Sequence, residues 1–285
     1  MAPLQEGQYM IQTNTQSSAR LNLQHYWVQD SLGYLLHPSI TVPEHAKIAD
    51  LATGTGIWPV SFSLRPDVPS TVQIDGFDIT DDMFPPADWL PPNVCLRTLD
   101  ILKPVSERLR GRYDVVCIRY FGVLVRNNDP GFVLRNLMDM LKPGGYIQWV
   151  ESDIYNQSVV KSASASNTTL NPTTLEGHLD VWRRYLDSSG LRYDWLATLP
   201  TLCKNIGMSE AQLYTPASVP ALRFTATTVV LGAWEELSHR LDEYGSPDEI
   251  LGTGMQLREK IRGFWREVEK GVALDLGFYV TVARK

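Results

Sequence analysis

Five residues carry the chemistry that this sequence makes legible: Asp50, Gly54, Gly56, Asp78 and Asp100. The first three lie in "DLATGTGIWPV", Asp50 to Val60. An apolar run ends there in two glycines one residue apart, and a helical pattern follows. Glycine lets the backbone take positive φ and approach a ligand closely. The helix that follows offers unpaired N–H groups. A strand–glycine turn–helix unit of this kind suits a nucleotide-containing cofactor. Two common nucleotide turns are excluded. The dinucleotide pattern G-x-G-x-x-G fails because Pro59 stands in the third glycine's place, and a P-loop would need Gly-Lys-Ser/Thr, which is absent. Asp78 closes the next strand, in "IDGFDIT", and Asp100 follows the third, in "RTLDILKP". A carboxylate at the end of the second strand can accept both hydroxyls of a ribose. One beside the third can take an exocyclic adenine N–H while the backbone N–H of Ile101 meets a ring nitrogen. Asp75 competes with Asp78 but falls three residues earlier, within or before the strand.

The elements that must position these groups alternate. "KIADLA", "TVQIDGFDI", "VCLRTLDI", "YDVVCIRYF" and "YIQWVES" read as strands. "GIWPVSFSLRP" and "PGFVLRNLMDMLKPGG" read as helices, with Pro59 tolerated in a first turn. Strand and helix in alternation imply a mainly parallel sheet covered on both faces. Ahead of it, residues 17–36 have helical spacing, capped by Ser17 or Ser18 and stopped by Pro38, and a second helix start is expected at Pro43-Glu44. Beyond residue 155 a polar, low-complexity stretch reads as a loop. Helices are expected over 174–189, 193–206, 221–244 and 247–270. Two more strands, "MSEAQLYTP" and the C-terminal "LDLGFYVTVARK", bring the sheet to about seven.

Composition narrows the function class. Apolar residues make up 44%, enough for a large core, and the net charge of −6 with no basic cluster argues against nucleic-acid binding. Three cysteines without metal spacing read as reduced, buried side chains. The first residues lack a signal-peptide pattern and no apolar run spans a membrane, so the expectation is a cytoplasmic protein acting on a small molecule, as a monomer or homodimer.

Together these stretches resemble the class I S-adenosyl-L-methionine (SAM) methyltransferases, with Ala52 in the slot of their first glycine. Within that superfamily the chain resembles the fungal secondary-metabolite group, which includes gliotoxin-type N-methyltransferases and LaeA-like regulators. "ARLNLQHYWVQDSLGYLLHPSI", "IADLATGTGIW", "IDGFDIT", "YDVVCIRYF" and "LKPGGYIQWVESD" carry the likeness, over roughly residues 17–155. It implies a Rossmann-like, seven-stranded α/β sheet with an N-terminal helical lid over residues 1–45. A SAM-binding core follows over 46–155, and a helical substrate cap over 156–285 supplies the last two strands. It further implies that Gly54 and Gly56 pass under the amino-acid part of SAM and that Asp50 helps hold its ammonium. Asp78, with Ile79 beside it, takes the ribose, and Asp100 and Ile101 the adenine. Arg119 and Tyr120 flank the sulfonium, and Tyr9, Arg20 and His25 are candidate lid contacts.

A catalytic base is needed only where the acceptor must lose a proton, and histidine suits that task. Among five histidines, His25 on the first helix and His178 at the start of the cap are the candidates, while His37, His45 and His239 read as structural or solvated. Glu151 and Asp153 follow the fifth strand and could orient or deprotonate an acceptor, or cap a loop. Trp182, Tyr185, Tyr193, Trp195, Phe224 and Trp234 lie on expected cap helices, where some could line an apolar pocket. The function expected is methyl transfer from SAM to O or N of a secondary metabolite. The rivals are a non-methylating reaction on the same fold, with SAM bound or absent, and a LaeA-like regulatory role.

Overall fold

A computed structural model describes residues 15–163, 165, 173–245 and 249–285. In the first half β1 (Lys47–Leu51), α2 (Ile57–Ser63), β2 (Gln73–Asp78), β3 (Val94–Thr98), β4 (Tyr113–Arg119), α3 (Gly131–Met140) and β5 (Leu141–Ser152) follow α1 (Thr15–Leu32). The second half contains β6 (Ser158–Lys161), α4 (Thr174–Ser188), α5 (Trp195–Asn205), β7 (Ser209–Tyr214), α6 (Arg223–Tyr244), α7 (Gly254–Val268), β8 (Val272–Asp275) and β9 (Phe278–Arg284).

Seven strands form one sheet in the order β3-β2-β1-β4-β5-β9-β7. β1 to β5 are mutually parallel, and β9 runs antiparallel between β5 and β7. Successive side chains of a strand point to opposite faces, and here both faces are buried. Ile48, Val115 and Cys117 pack on one side with Trp27, Trp58, Trp182 and Trp234. Ala49, Val116 and Ile118 pack on the other with Leu134, Leu137, Trp195 and Leu199. This is why the parallel strands read as nearly continuous apolar runs. The strand order reverses between β1 and β4, which opens a crevice at their carboxyl ends, the place where open α/β sheets bind ligands.

Several local expectations need correction. α1 ends at Leu32 rather than at residue 36, because Gly33 takes φ 77 and its N–H closes on Gln29 O at 2.8 Å. Pro43-Glu44 starts no helix: Ala46 N–H bonds Pro43 O at 3.0 Å in a single turn that feeds straight into β1. The polar stretch after residue 155 contains β6, and the C-terminal run is two strands rather than one. β6 pairs antiparallel with β8 in a separate two-stranded sheet, Ser158 opposite Asp275 and Lys161 opposite Val272. A four-residue strand whose partner lies more than a hundred positions away leaves no local pattern. α7 starts at Gly254 because Thr253 and Gln256 form a capping box there.

Candidate active site

The turn after β1 is built from backbone geometry that few residues accept. Ala52, Gly54 and Gly56 take φ of 53, 61 and 75. For Ala52 this left-handed conformation costs about 1–2 kcal/mol, strain of the kind found at functional sites. A Cβ on Gly56 would lie 2.5 Å from Leu96 Cδ1, and one on Gly54 would lie 3.3 Å from Leu21 Cδ1 of α1. Gly56 therefore seats α2 against β3, while Gly54 lets α1 close over the turn.

Asp78 holds that turn to the end of β2. Its Oδ2 accepts Gly54 N–H at 2.7 Å and its Oδ1 accepts Ile79 N–H at 2.8 Å, and Thr53 N–H bonds Phe77 O at 2.9 Å. Burial raises the pKa of Asp78, and the backbone N–H donors oppose that rise. Asp50, at the end of β1, is buried and accepts Thr53 Oγ1–H at 2.6 Å, while its Oδ1 has no partner among the protein groups. Burial, opposed by Arg119, pushes its carboxyl up to about 6. Beyond β3, Asp100 Oδ1 accepts Leu102 N–H at 3.0 Å, and Asn136 fixes the next residue by donating to Ile101 O at 2.7 Å.

These strand ends open on a cavity of about 1000 Å³. Gly54, Asp78, Asp100, Ile101 and Arg119 line its sheet side, α1 covers it with Arg20, Leu21, Gln24 and His25, and Trp182 of α4 with Val229, Val230, Trp234 and Leu237 of α6 line the opposite side. At the end of β4, Arg119 Nη1 approaches His25 Nδ1 at 3.3 Å and its guanidinium lies 6.0 Å over the Trp58 ring. Tyr120 follows at φ 54, anchored by its N–H to Val150 O at 3.0 Å. His25 Nε2, Arg119 Nε and Tyr120 Oη are all buried without a protein partner. Three unspent donors beside a glycine turn and a strand-end carboxylate suit a polar ligand that carries an anionic group.

The fold and this geometry agree with what comparison with known proteins finds. The model of the ubiE/COQ5 methyltransferase family matches residues 35–215, more than half of the chain. The chain belongs to that family. Methyltransferase grgD of a Penicillium species is 36% identical over 155 residues, 52% of this chain and 54% of that protein. N-methyltransferase verN of Clonostachys rogersoniana is 34% identical over 144 residues, 50% of each. The chain thus spans about half the length of the curated relatives it matches. Among solved structures, a chain of the complex between the Haloferax volcanii Trm112 methyltransferase activator and its methyltransferase superposes with a TM-score of 0.53 at 16% identity. It covers 95% of this chain and 94% of that one, a likeness of fold.

In this family member the cavity gathers Arg20, His25, Ala52, Gly54, Asp78, Ile79, Asp100, Ile101, Arg119 and Tyr120. Asp50 and Gly56 stand behind the lining, and Tyr9 lies outside the described residues. Arg20 reaches the wall, but its guanidinium forms a two-pronged ion pair with Glu236 of α6, at 2.8 and 3.1 Å, and bonds Gln24 at 3.0 Å. Asp75 lies inside β2 and pairs with Arg97 at 2.7 Å and the Tyr113 hydroxyl at 2.8 Å.

Two of the three candidate catalytic residues, His178 and Asp153, need correction. His178 does not reach the cavity: it packs between Trp234 and Phe264, ring centroids 4.9 and 5.0 Å away, and burial with Lys260 nearby holds it at about 4. Asp153 caps its own loop, accepting the N–H groups of Tyr155 and Asn156 at 3.1 and 3.0 Å and the Asn156 amide at 2.8 Å. His25 is at the cavity, where burial and then Arg119 push its pKa down to about 3. Sequence reasoning missed Glu236, which ties α1 to α6, and Gln157, which lies on the wall. Glu151 serves the loop that carries Tyr120. Its Oε1 accepts Phe121 and Gly122 N–H at 2.6 and 2.9 Å and the Trp149 indole at 2.9 Å, and burial raises it to about 7 despite these donors.

Proposed function

We propose that the protein transfers a methyl group from SAM to an oxygen or nitrogen of a small-molecule secondary metabolite. The observation that carries this is a single cavity with a glycine–Asp78 turn and Asp100 on its sheet side and an apolar, aromatic wall on its cap side. Cofactor and acceptor would share one water-excluding space. The relatives named as methyltransferase and N-methyltransferase support the reaction class.

SAM supplies a methyl group activated by a sulfonium. The protein's own part is to bind, orient and exclude water. Asp78 accepts the ribose hydroxyls while its backbone bonds hold the turn. Asp100 and the Ile101 backbone meet the adenine. Arg119 and the Nε2–H of His25 offer donors to the carboxylate of the amino-acid part, and Asp50 balances its ammonium. α1 closes the space, with Leu21 against Gly54.

Titration calorimetry with SAM and its demethylated product, S-adenosylhomocysteine (SAH), tests this reading. Both should bind at micromolar concentration, and Asp78→Ala should weaken them roughly 100-fold, since two charge-assisted bonds to the ribose are lost. Absence of binding, with Asp78→Ala indistinguishable from the parent, would falsify it. Methyl-labelled SAM with neutral aromatic acceptors then reads transfer directly, as label in the product.

A further inference from the structure

Gln157 lies between β5 and β6, in the stretch that composition marks as a polar linker. It is nevertheless only 2% exposed, and it is one of the residues that line the cavity. Neither its Oε1 nor its Nε2 has a hydrogen-bond partner among the protein groups. Burying a whole primary amide unpaired is unfavourable, and native proteins do so at few places. The backbone around it is held firmly. Arg183 of α4 donates to Gln157 O at 3.3 Å and Tyr155 O at 3.1 Å, and the Trp182 indole donates to Ile154 O at 3.1 Å. The main chain that carries the amide is therefore fixed.

Its surroundings are aromatic. Trp182 and Trp234 lie on the same wall with ring centroids 5.3 Å apart. The charges of the cap side are already matched, Arg20 to Glu236 at 2.8 Å and Arg240 to Glu243 at 3.4 Å. A charged acceptor group beside Gln157 would gain no counter-charge there. A neutral group that offers an acceptor and a donor side by side can pair with both ends of the amide.

Resting on the methyl-transfer reading of the cavity, we propose that Gln157 is the acceptor-selecting residue. It recognises an uncharged, flat and largely apolar molecule through one polar group in which a donor and an acceptor are adjacent. The apolar wall takes the flat body, and the amide fixes its rotation within the pocket. A site built to hydrogen-bond its ligand discriminates strongly against analogues that lack the group.

The probes are 2-quinolinone, which carries N–H beside C=O on a flat bicycle, and quinoline, which lacks the paired group. Both are titrated into the SAH-saturated protein and into the protein alone. In the parent, 2-quinolinone should bind roughly tenfold tighter than quinoline, and in Gln157→Met the ratio should fall below about threefold with SAH affinity unchanged. Gln157→Met removes the unpaired amide at similar volume, so its Tm should not fall. Should that variant fail to fold, Gln157→Glu keeps the shape, replaces the donor with a charge, and should also lose the preference. A parental ratio below about threefold, or a ratio that survives substitution, overturns the assignment. Failure of SAH to bind counts against the methyl-transfer reading instead, and the titration without SAH still reads the ratio.

Discussion

A guanidinium cannot accept a hydrogen bond, so the 3.3 Å approach of Arg119 Nη1 to His25 Nδ1 selects the imidazole tautomer with its proton on Nε2. The same cation and the burial that brings the two together keep His25 neutral, with a pKa pushed down to about 3. Imidazole nitrogen NMR should therefore show no titration of His25 between about pH 8 and 5, and a midpoint near the usual value of about 6.5 would refute the arrangement. Glu151 behaves in the opposite sense. Its folded pKa is raised to about 7 from an ordinary 4.5. Its contribution to stability is therefore complete below the unfolded value and is lost as pH rises through the folded one. Between these limits the folded state holds the extra proton, so the slope of stability against pH approaches about −1.4 kcal/mol per unit from this group. Glu151→Gln keeps an oxygen for the three N–H donors and should flatten that slope in urea unfolding series from pH 5 to 8.

α1 and α6 meet at Gly232, where an added Cβ would lie 3.3 Å from Arg20 Cδ, and they are joined there by the buried Arg20–Glu236 pair. Removing one partner leaves the other charge buried, at a cost of about 3–5 kcal/mol, whereas replacing both with apolar side chains can be neutral. Glu236→Ala should lower stability on that scale and speed amide exchange along α1, and Arg20→Met with Glu236→Met should recover most of it. His178 offers a contrast within α4. Its Nε2 is buried without a protein partner among aromatic rings. His178→Phe should leave SAH affinity unchanged and alter stability by no more than about 2 kcal/mol, because the lost ring nitrogen was unpaired. A variant that folds and loses cofactor binding would return His178 to the site.

At the scale of the whole molecule, the cavity wall draws on the sheet, α1, α4 and α6 at once. A ligand that fills its sheet side should therefore stabilise elements from both halves of the chain. SAH at a hundred times its Kd should add about 2.7 kcal/mol to the free energy of unfolding. Hydrogen exchange should slow in α1 and α6 as well as at the β1–α2 turn, and protection confined to that turn would show that these helices do not take part. Among the described residues no helix is long and apolar enough to cross a membrane, and the apolar side chains of α6 and α7 pack in the core.

The sequence by itself determined the order of strands and helices, the glycine turn after β1, and the acidic residues at the ends of β2 and β3. These are local properties: side-chain periodicity, the special φ of glycine, and the short distance from a strand to its own end. Family resemblance singled out the same residues for the same reason, since its motifs lie in those turns. Tertiary structure decided the rest. Whether His25 or His178 faces the cavity depends on which helix packs above it. Asp75 became an ion-pair partner because of Arg97 and Tyr113, neighbours that no spacing announces. β6 exists only because β8 comes alongside, and Gln157 is buried in a segment that Arg183 of α4 holds. Contacts between residues far apart in the chain leave no periodic trace, and the side of the cavity that α4 and α6 line is made almost wholly of such contacts.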